Sequence, residues 1–276
     1  MQQTTSVGAD RTTSAARDLL ACTPFVALTG AGISTDSGIP DYRGPSSPAR
    51  MPMTYQEYVS GYDAQQRYWA RSHIGWARMR RATPNEGHHA LARSERLGGV
   101  SLLITQNVDG LHEQAGSSRM VALHGRISDV TCLGCREQSS RRVLQETLSR
   151  LNPGFGSRHA DAVVRPDGDV ELTDTSGFVV PTCECGGVLK PDVVFFGENV
   201  PKPRVQRCSD AVDAASALLV AGSSLTVMSG FRFVRQAHKR GIPVVIVNRG
   251  QTRADDLATY KLDVGGAEFL TDLSGG

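Results

Sequence analysis

Several features of membrane, secreted and nucleic-acid-binding proteins are missing from this sequence. Its 276 residues contain no apolar run as long as a transmembrane helix, and the N-terminal stretch lacks the apolar core of a secretory signal. Neither sign of charge dominates, since Lys and Arg number 30 against 28 Asp and Glu. Composition therefore gives no reason to expect a nucleic-acid or membrane partner. We expect a cytoplasmic protein, with the mitochondrial matrix as the alternative because the N-terminus is Ser/Thr-rich with a few arginines.

Short apolar runs alternate with helical patterns along most of the chain. The runs that predict buried parallel strands are Phe25–Thr29, 101–105, 217–222 and 243–248. The helical patterns lie at 14–22, 88–97, 204–215 and 230–240. This alternation predicts a doubly wound α/β sheet.

Two regions, 46–87 and 128–192, break the alternation, and we expect them to form a smaller second domain. The chain is long enough for a large domain with a small one beside it. Residues 1–12 are interpreted as a flexible tail. The sequence is compatible with a monomer and does not fix the oligomeric state.

A glycine turn follows the first predicted strand. Gly30, Ala31 and Gly32 would let backbone N–H groups approach a pyrophosphate closely. Thr35 stands where a dehydrogenase fingerprint has its third glycine, and a Gly/Pro-rich loop follows instead of a long helix. Hydride-transfer chemistry is therefore a weaker alternative for this turn.

Polar residues in that loop extend the candidate site. Ser34 offers a hydroxyl donor, and Arg43 offers a fixed positive charge for a phosphate or a polar ring. Asp41 lies beside Arg43, between Gly38 and Gly44.

Hydrogen-bonding residues follow the other three predicted strands. They are Gln106, Asn107 and Asp109 after the second strand, Gly222, Ser223 and Ser224 after the third, and Asn248, Arg249 and Gly250 after the fourth. In open α/β sheets, ligands bind at the carboxyl ends of the strands. These three groups and the glycine turn therefore predict one convergent pocket.

His124 is a candidate general base, because an imidazole can accept a proton at neutral pH. A single histidine is more often structural, and His88, His89 and His112 are rival candidates. Local sequence separates them only by the helical context of His88 and His89.

Four cysteines form two tight pairs, Cys132 with Cys135 and Cys183 with Cys185. Four thiolates would fill the coordination sphere of a zinc ion, so the pairs predict a structural rather than a catalytic metal. The second pair is one residue shorter than the usual Cys-x-x-Cys. A redox pair, or thiols without a role, is the alternative.

Taken together and in order, these motifs resemble those of the sirtuins, which are NAD-dependent protein-lysine deacylases. The matching segments are GAGIST-SGIPDYRG, TQNVDGLH--AG, LHG, the cysteine pairs, KPDVVFFGE, GSSL and VN-G, and the similarity covers residues 14–270. The stretches at 66–79 and 151–183 resemble the class II branch, which includes the mitochondrial sirtuin described as a lipoamidase, deacylase and ADP-ribosyltransferase.

The resemblance implies a Rossmann-like NAD domain built from 13–45, 88–127 and 193–276. Its smaller domain would combine a helical module, 46–87, with a zinc-binding module, 128–192. NAD and an acyl-lysine protein or peptide would meet in the cleft between the two domains.

The resemblance also implies roles for individual residues. Catalysis would fall to His124, as the base, and to Asn107. The residues implied to bind NAD are Gly30, Ala31, Gly32, Ser34, Asp41, Arg43, Gln106, Asn107, Asp109, Gly222, Ser223, Ser224, Asn248, Arg249, Gly250 and Gly266. The residues implied to hold the substrate peptide as an added strand are Val194, Phe195, Phe196, Gly197, Glu198, Val227, Met228 and Ser229. From the residues alone, the apolar run 193–196 is a strand that either pairs with a peptide or belongs to the core.

The implied reaction needs positioning more than a protein nucleophile. Loss of nicotinamide makes a ribose carbon electrophilic, and the acyl-lysine oxygen must be held against that carbon in a water-free cleft. His124 would take a proton from the ribose hydroxyls. The products would be nicotinamide, 2′-O-acyl-ADP-ribose and free lysine. Alternatives are a mono-ADP-ribosyltransferase that uses the same pocket and a non-enzymatic NAD-sensing module.

Tyr68 and Arg71 lie about where desuccinylating sirtuins carry a Tyr-x-x-Arg pair that holds a substrate carboxylate. A guanidinium and a phenol suit that task chemically. We expect acidic or bulky acyl groups to be accepted better than acetyl. The alternative is that both residues only pack or solvate a helix.

Overall fold

The computed structural model describes residues 3–41, 52–159, 170, 172 and 174–274. Its α-helices are α1 (Gln3–Cys22), α2 (Tyr55–Tyr58), α3 (Tyr62–Met79), α4 (Glu86–Arg96), α5 (Leu111–Gln114), α6 (Arg141–Leu151), α7 (Lys202–Asp213), α8 (Met228–Lys239) and α9 (Gly266–Ser274). Its strands are β1 (Phe25–Thr29), β2 (Val100–Thr105), β3 (Met120–Ala122), β4 (Gly125–Cys132), β5 (Gln138–Ser140), β6 (Leu189–Val193), β7 (Ala217–Ala221), β8 (Val244–Val247) and β9 (Tyr260–Leu262). None of the helices described is long and apolar enough to cross a membrane.

Six parallel strands form the main sheet in the order β3-β2-β1-β7-β8-β9. β1 lies between β2 and β7, so the strand order reverses beside it and leaves a crevice at the carboxyl ends. The four strands predicted from the apolar runs are all present in this sheet, within one residue of the predicted ends. The predicted doubly wound α/β class is confirmed.

Helices cover both faces of the sheet, which explains why its central strands are continuously apolar. Alternate residues of β1 point to opposite sides. Phe25 and Ala27 pack in the core beneath α1, α4 and α9, whereas Val26 and Leu28 pack in the core beneath α7 and α8. The sheet is therefore a rigid platform for the loops at its carboxyl edge.

A smaller module stands beside this edge. Its antiparallel sheet has the order β5-β4-β6, and its core brings together Trp69 of α3, Leu148 of α6 and the rings of Phe155 and Phe178. A separate apolar cluster of Ile39, Trp76, Met79, Leu111 and Ile127 connects this module to the loops of the main sheet.

The structure differs from two local expectations. Residues 1–12 were predicted to be a flexible tail, whereas helix α1 begins at Gln3; the segment contains no proline, which would interrupt a helix. Residues 193–196 were predicted to be a strand, yet β6 ends at Val193. Beyond it, the Val194 N–H donates to the carbonyl of His124 and the Phe196 carbonyl accepts from Tyr55, so the chain leaves the ladder for other partners.

Candidate active site

The glycine turn after β1 packs against the end of β7. Two short 3₁₀ turns, Ala31–Ile33 and Thr35–Ser37, replace a long helix. A Cβ atom on Gly30 would lie 2.8 Å from the Cβ of Ser223, and one on Gly32 would lie 2.9 Å from the carbonyl oxygen of Gly222. Glycine is needed at both positions because the two strand ends touch.

This packing corrects the role assigned to the two glycine amides. The Gly32 N–H donates to the Gly222 carbonyl at 2.8 Å, and the Gly30 N–H donates to the Ala221 carbonyl at 3.2 Å. Both N–H groups therefore hold β1 and β7 together and do not point freely at a phosphate.

A partly buried hydrogen-bond network joins this turn to the end of β2. The Asn107 Nδ2 donates to Ser34 Oγ at 3.0 Å and to the Gly30 carbonyl at 3.1 Å. Ser34 Oγ in turn donates to Asp109 Oδ2 at 2.8 Å. Burial raises the pKa of Asp109, partly offset by the N–H of Leu111 and the hydroxyl of Ser34. These predicted cofactor residues thus form one fixed polar wall.

Gln106 connects the same strand end to the other side of the crevice. Its Nε2 donates to Ser223 Oγ at 2.8 Å. A Cβ on Gly230, in the first turn of α8, would lie 2.5 Å from Gln106 Oε1. The start of α8 therefore lies directly against the end of β2.

His124 occupies the turn between β3 and β4 and bonds to both sides of the cleft. Its Nδ1 lies 2.8 Å from the carbonyl oxygen of Gln106, which can only accept, so Nδ1 carries the proton. Its Nε2 lies 2.8 Å from the hydroxyl of Ser229. Burial lowers the pKa of His124 to about 4. The imidazole is therefore neutral at neutral pH and presents the Nε2 lone pair as a base.

Tertiary position separates His124 from two of its rivals. His88 Nε2 lies 3.4 Å from Ser34 Oγ, and His112 Nε2 lies 3.0 Å from Thr29 Oγ1. The His88 and His112 rings pack at 4.7 Å between centroids, and burial lowers the pKa of both. His88 and His112 thus contact Ser34 and Thr29 on the cofactor side. His124 instead contacts Ser229, in the predicted peptide-binding segment.

The residues predicted for the adenosine half lie at the ends of β7, β8 and β9. The Gly250 N–H donates to Asp263 Oδ1 at 2.8 Å, and Asn248 Nδ2 donates to the Arg249 carbonyl at 2.7 Å. Gly266 opens α9 above Gly222, since a Cβ on Gly266 would lie 3.7 Å from the Gly222 nitrogen. Sequence reasoning missed Asp263, which lies next to the short strand β9 that it did not predict.

Of the two predicted cofactor residues in the loop after β1, the structure describes Asp41 but not Arg43. Asp41 is half-buried at the end of the described part of that loop. Arg43 lies outside the described residues. Ser224 of the adenosine side bonds the hydroxyl of Thr226 at 3.1 Å.

The two predicted peptide-binding segments meet at His124. Val194 donates its N–H to the His124 carbonyl at 2.8 Å, and Ser229 bonds the imidazole from the opposite side. Val227 is extended and directly precedes α8. The two segments therefore contact His124 from opposite sides.

Sequence reasoning missed two supports of this edge. Lys190 Nζ lies 3.0 Å from Glu198 Oε2, which also accepts the N–H of Phe195 at 2.9 Å. Gly125 has a φ of 82°, and a Cβ there would lie 1.8 Å from the Asp192 carbonyl oxygen. The position of Gly125 directly after His124 could have drawn attention to it. Nothing in the sequence pointed to Lys190, because a lysine is usually exposed.

Tyr68 and Arg71 lie one turn apart on α3, beside this edge. The Tyr68 ring packs at 5.2 Å from the ring of Phe195. Arg71 Nε donates to the carbonyl of Val170 at 2.6 Å. Tyr68 is thus positioned near the peptide segment, and Arg71 binds the backbone of the neighbouring insert.

The four paired cysteines converge on one point. Their sulfur atoms all lie within 4.8 Å of one another, with Cys132 and Cys185 at 3.5 Å and Cys135 and Cys183 at 3.8 Å. A tetrahedral Zn²⁺ with Zn–S bonds of about 2.3 Å requires sulfurs about 3.8 Å apart. The set fits a structural zinc ion.

The short Cys-x-Cys pair completes this site because two glycines follow it. The Cys183 N–H donates to the Gly187 carbonyl at 2.9 Å, which closes a tight turn. A Cβ on Gly187 would lie 2.6 Å from Cys132 Sγ. The unusual spacing is therefore compensated by a close approach that only glycine allows.

The parallel sheet has a crevice at its switch point, and the neutral, half-buried His124 lies beside it. With the four-cysteine cluster, these features define a nucleotide-binding fold with a zinc module. Residues 30–229 match the Sir2 family model. The chain belongs to the Sir2 family, the sirtuins.

Individual relatives are similar over nearly the whole chain. NAD-dependent protein deacetylase 1 of Mycobacterium avium (strain 104) is 52% identical over 261 residues, covering 93% of this chain and 92% of that protein. NAD-dependent protein deacetylase 1 of Streptomyces coelicolor is 54% identical over 262 residues, covering 93% of this chain and 87% of that protein. A solved Sir2–p53 peptide–NAD+ complex is 32% identical with a TM-score of 0.75, covering 93% of this chain and 94% of that one.

Proposed function

We propose that this chain is an NAD-dependent protein-lysine deacylase of the deacetylase type. One observation carries the proposal: His124 is neutral, and its Nε2 faces the place where the cofactor edge of the sheet meets the two peptide-binding segments. The relatives named as NAD-dependent protein deacetylases support it.

The protein's own groups would perform the reaction mainly by positioning. Cleavage of the bond between nicotinamide and ribose would supply the electrophilic carbon. Asn107 and Asp109 present an amide and a carboxyl group where the ribose and nicotinamide would bind, and Ser34 holds them in register. The carbonyl of Gln106 fixes the His124 tautomer, so Nε2 accepts the ribose hydroxyl proton once a ligand displaces the Ser229 hydroxyl. The acyl group would thereby pass to ADP-ribose.

The test is incubation of the purified protein with NAD and an acetyl-lysine peptide, read by mass spectrometry. We expect nicotinamide, O-acetyl-ADP-ribose and free lysine peptide, and we expect His124→Ala to slow turnover by about 10²- to 10⁴-fold. His238→Ala is the control, because His238 is exposed on α8. Unchanged turnover in His124→Ala would remove the proposed base. Label passing from NAD to protein instead would identify the mono-ADP-ribosyltransferase alternative.

We further propose that acidic or bulky acyl groups are preferred to acetyl, in line with the predicted class II placement. The contact of Tyr68 with Phe195 supports this proposal, because it puts a phenol at the edge where the acyl-lysine would enter. A panel of acetyl-, succinyl-, glutaryl- and hydroxymethylglutaryl-lysine peptides tests it. A clear advantage for acetyl in kcat/KM would refute the preference while leaving the deacylase function intact.

A further inference from the structure

The loop between β7 and α8 contains a buried leucine in a left-handed backbone conformation. Leu225 has a φ of 56°, and in the described part of the chain Arg136 is the only other residue besides glycines with a positive φ. The Leu225 side chain is fully buried in the core beneath α7 and α8. A Cβ atom makes this conformation unfavourable, so it persists only where neighbouring contacts hold it. The loop therefore needs a constraint from outside its own sequence.

Arg253, in the turn after β8, supplies contacts on both sides of Leu225. Its backbone N–H donates to the Ser224 carbonyl at 2.9 Å, and its Nη1 donates to the Thr226 carbonyl at 3.0 Å. Its guanidinium also lies over the ring of Phe231 in α8, 4.6 Å from the ring centre. One residue thus contacts the loop before Leu225, the loop after Leu225 and the helix that follows.

The turn that carries Arg253 is itself held by hydrogen bonds. The Thr252 N–H and hydroxyl donate to the Asp255 carboxylate at 3.1 and 2.5 Å, and the Ala254 N–H donates to Thr252 Oγ1 at 3.3 Å. Ala254 is fully buried. Both chain neighbours of Arg253 are therefore fixed, so the guanidinium reaches the loop from a defined position.

The loop that Arg253 contacts joins two predicted parts of the active site. At its cofactor end, Ser223 Oγ accepts from Gln106 Nε2 at 2.8 Å, which anchors this end to β2. At its substrate end, Ser229 Oγ lies 2.8 Å from His124 Nε2. In the proposed reaction a ligand displaces the Ser229 hydroxyl, so the substrate end then depends more strongly on the contacts with Arg253.

We propose that Arg253 is a positioning residue for substrate binding: it holds the loop around Leu225 and thereby fixes the predicted peptide-binding segment Val227–Ser229. The inference rests on the proposed deacylase function and extends its substrate site to a residue outside the predicted cofactor and peptide-binding sets. Arginine suits this role because its planar guanidinium can donate to a carbonyl while one face lies on an aromatic ring.

Steady-state kinetics with an acetyl-lysine peptide and NAD test this role. Arg253→Met removes the side-chain hydrogen bond and the charge, and we expect the peptide KM to rise about 10-fold, the order expected for one hydrogen bond to a charged group. The KM for NAD should change by less than about twofold, because Gln106 anchors the cofactor end independently. Arg253→Lys should recover part of the loss, since an ammonium can still donate to the Thr226 carbonyl. Arg232→Met is the matched control, an exposed arginine of α8 that should behave as the wild type.

A merely structural role would not separate the two KM values, because general damage to the fold affects both substrates. An unchanged peptide KM in Arg253→Met, an equal rise in both KM values, or no difference between Arg253→Met and Arg253→Lys would overturn the positioning role.

Amide hydrogen exchange and peptide binding, both measured without turnover, separate this inference from the proposed function. Residues 223–231 should exchange faster in Arg253→Met than in the wild type, whereas β8 should exchange at the same rate in both. Equal exchange in the loop would overturn the positioning role even in an active deacylase. Faster exchange together with weaker peptide binding would support it even if no peptide is turned over, and the proposed function alone would then fail.

Discussion

The two sides of the cleft are stabilised in different ways. On the cofactor side, polar side chains connect neighbouring strand ends, as Gln106 does with Ser223 and Asn107 with Ser34. On the substrate side, the ring of Tyr68 packs on those of Trp69 and Phe195. Trp69 also packs on the guanidinium of Arg141. Hydrogen bonds between strand ends thus hold the cofactor side, whereas packing of aromatic rings holds the substrate side.

Removing zinc should produce the largest effect of these predictions. The structural change should be confined to the small module on the substrate side of the cleft. The chain has two tryptophans, Trp69 and Trp76, and both lie on α3 in the small module. Structural zinc contributes an apparent binding free energy on the order of 10 kcal/mol or more. We expect a chelator, or Cys132→Ser, to abolish deacylation and to shift tryptophan emission to longer wavelength while most far-UV circular dichroism remains. Cys22→Ser is the control, because Cys22 is exposed and outside the cluster. Unchanged tryptophan emission after zinc loss would contradict the separation of the two sides.

Gly125→Ala should disrupt the junction between the two sides. A Cβ at this position would lie 1.8 Å from the Asp192 carbonyl oxygen, in a backbone conformation that favours glycine. We expect a loss of more than about 3 kcal/mol in the free energy of unfolding, measured by urea denaturation. Gly241→Ala is matched for conformation, with a φ of 70°, and has open space around the added Cβ. Its cost should be only about 1 kcal/mol; equal losses in the two variants would show that the contact with Asp192 is unimportant.

Acidification should lower the free energy of unfolding, because the fold disfavours the protonated forms of His88 and His124. Burial lowers the pKa of both His88 and His124 to about 4, from an ordinary value of 6.5. The unfolded chain then binds more protons than the folded one between pH 6.5 and 4, so stability is complete above pH 6.5 and falls as pH decreases through this range. We expect a loss of about 2–3 kcal/mol per histidine by pH 4.

Urea midpoints measured from pH 7.5 down to pH 4 test this dependence. His88→Gln should reduce the slope of stability against pH, whereas His238→Gln should leave it unchanged because His238 is exposed. A slope of equal size in His88→Gln and the wild type would assign the acid sensitivity to other groups.

Glu198→Gln should give the smallest effect and should fall on peptide binding alone. The carboxylate of Glu198 pairs with Lys190 and accepts the N–H of Phe195, so the charge helps to hold the substrate edge. The neutral amide keeps an acceptor for Phe195 but loses the ion pair, and we expect a rise in peptide KM of about 3- to 10-fold. The KM for NAD should stay constant. A parallel rise in both KM values would show that the two sides are coupled through this turn.

The sequence predicted the sheet well because its central strands are covered on both faces and are therefore apolar throughout. Val26 and Leu28 face one helical layer while Phe25 and Ala27 face the other. It did not predict β3 or β9, because strands of three residues are too short to show a hydrophobic periodicity. It also could not show that the Gly30 and Gly32 amides bond to the end of β7, because that contact joins residues about 190 positions apart.

Among the candidate site residues, the sequence alone predicted those whose residue type is uncommon at their position in the chain. The four cysteines, the polar residues after each strand and His124 all belong to this class, because thiol pairs and clusters of polar groups after buried strands require little context to interpret. The residue types alone left His124, His88 and His112 as rivals, and the family resemblance singled out His124; the tertiary structure adds which partner each ring nitrogen contacts. Only the structure shows that Arg141 is fully buried, because an arginine that begins a helix gives no sign that its guanidinium will pack on two indole rings. Residue type is written in the chain, whereas burial and the choice of partner arise only when distant segments pack together.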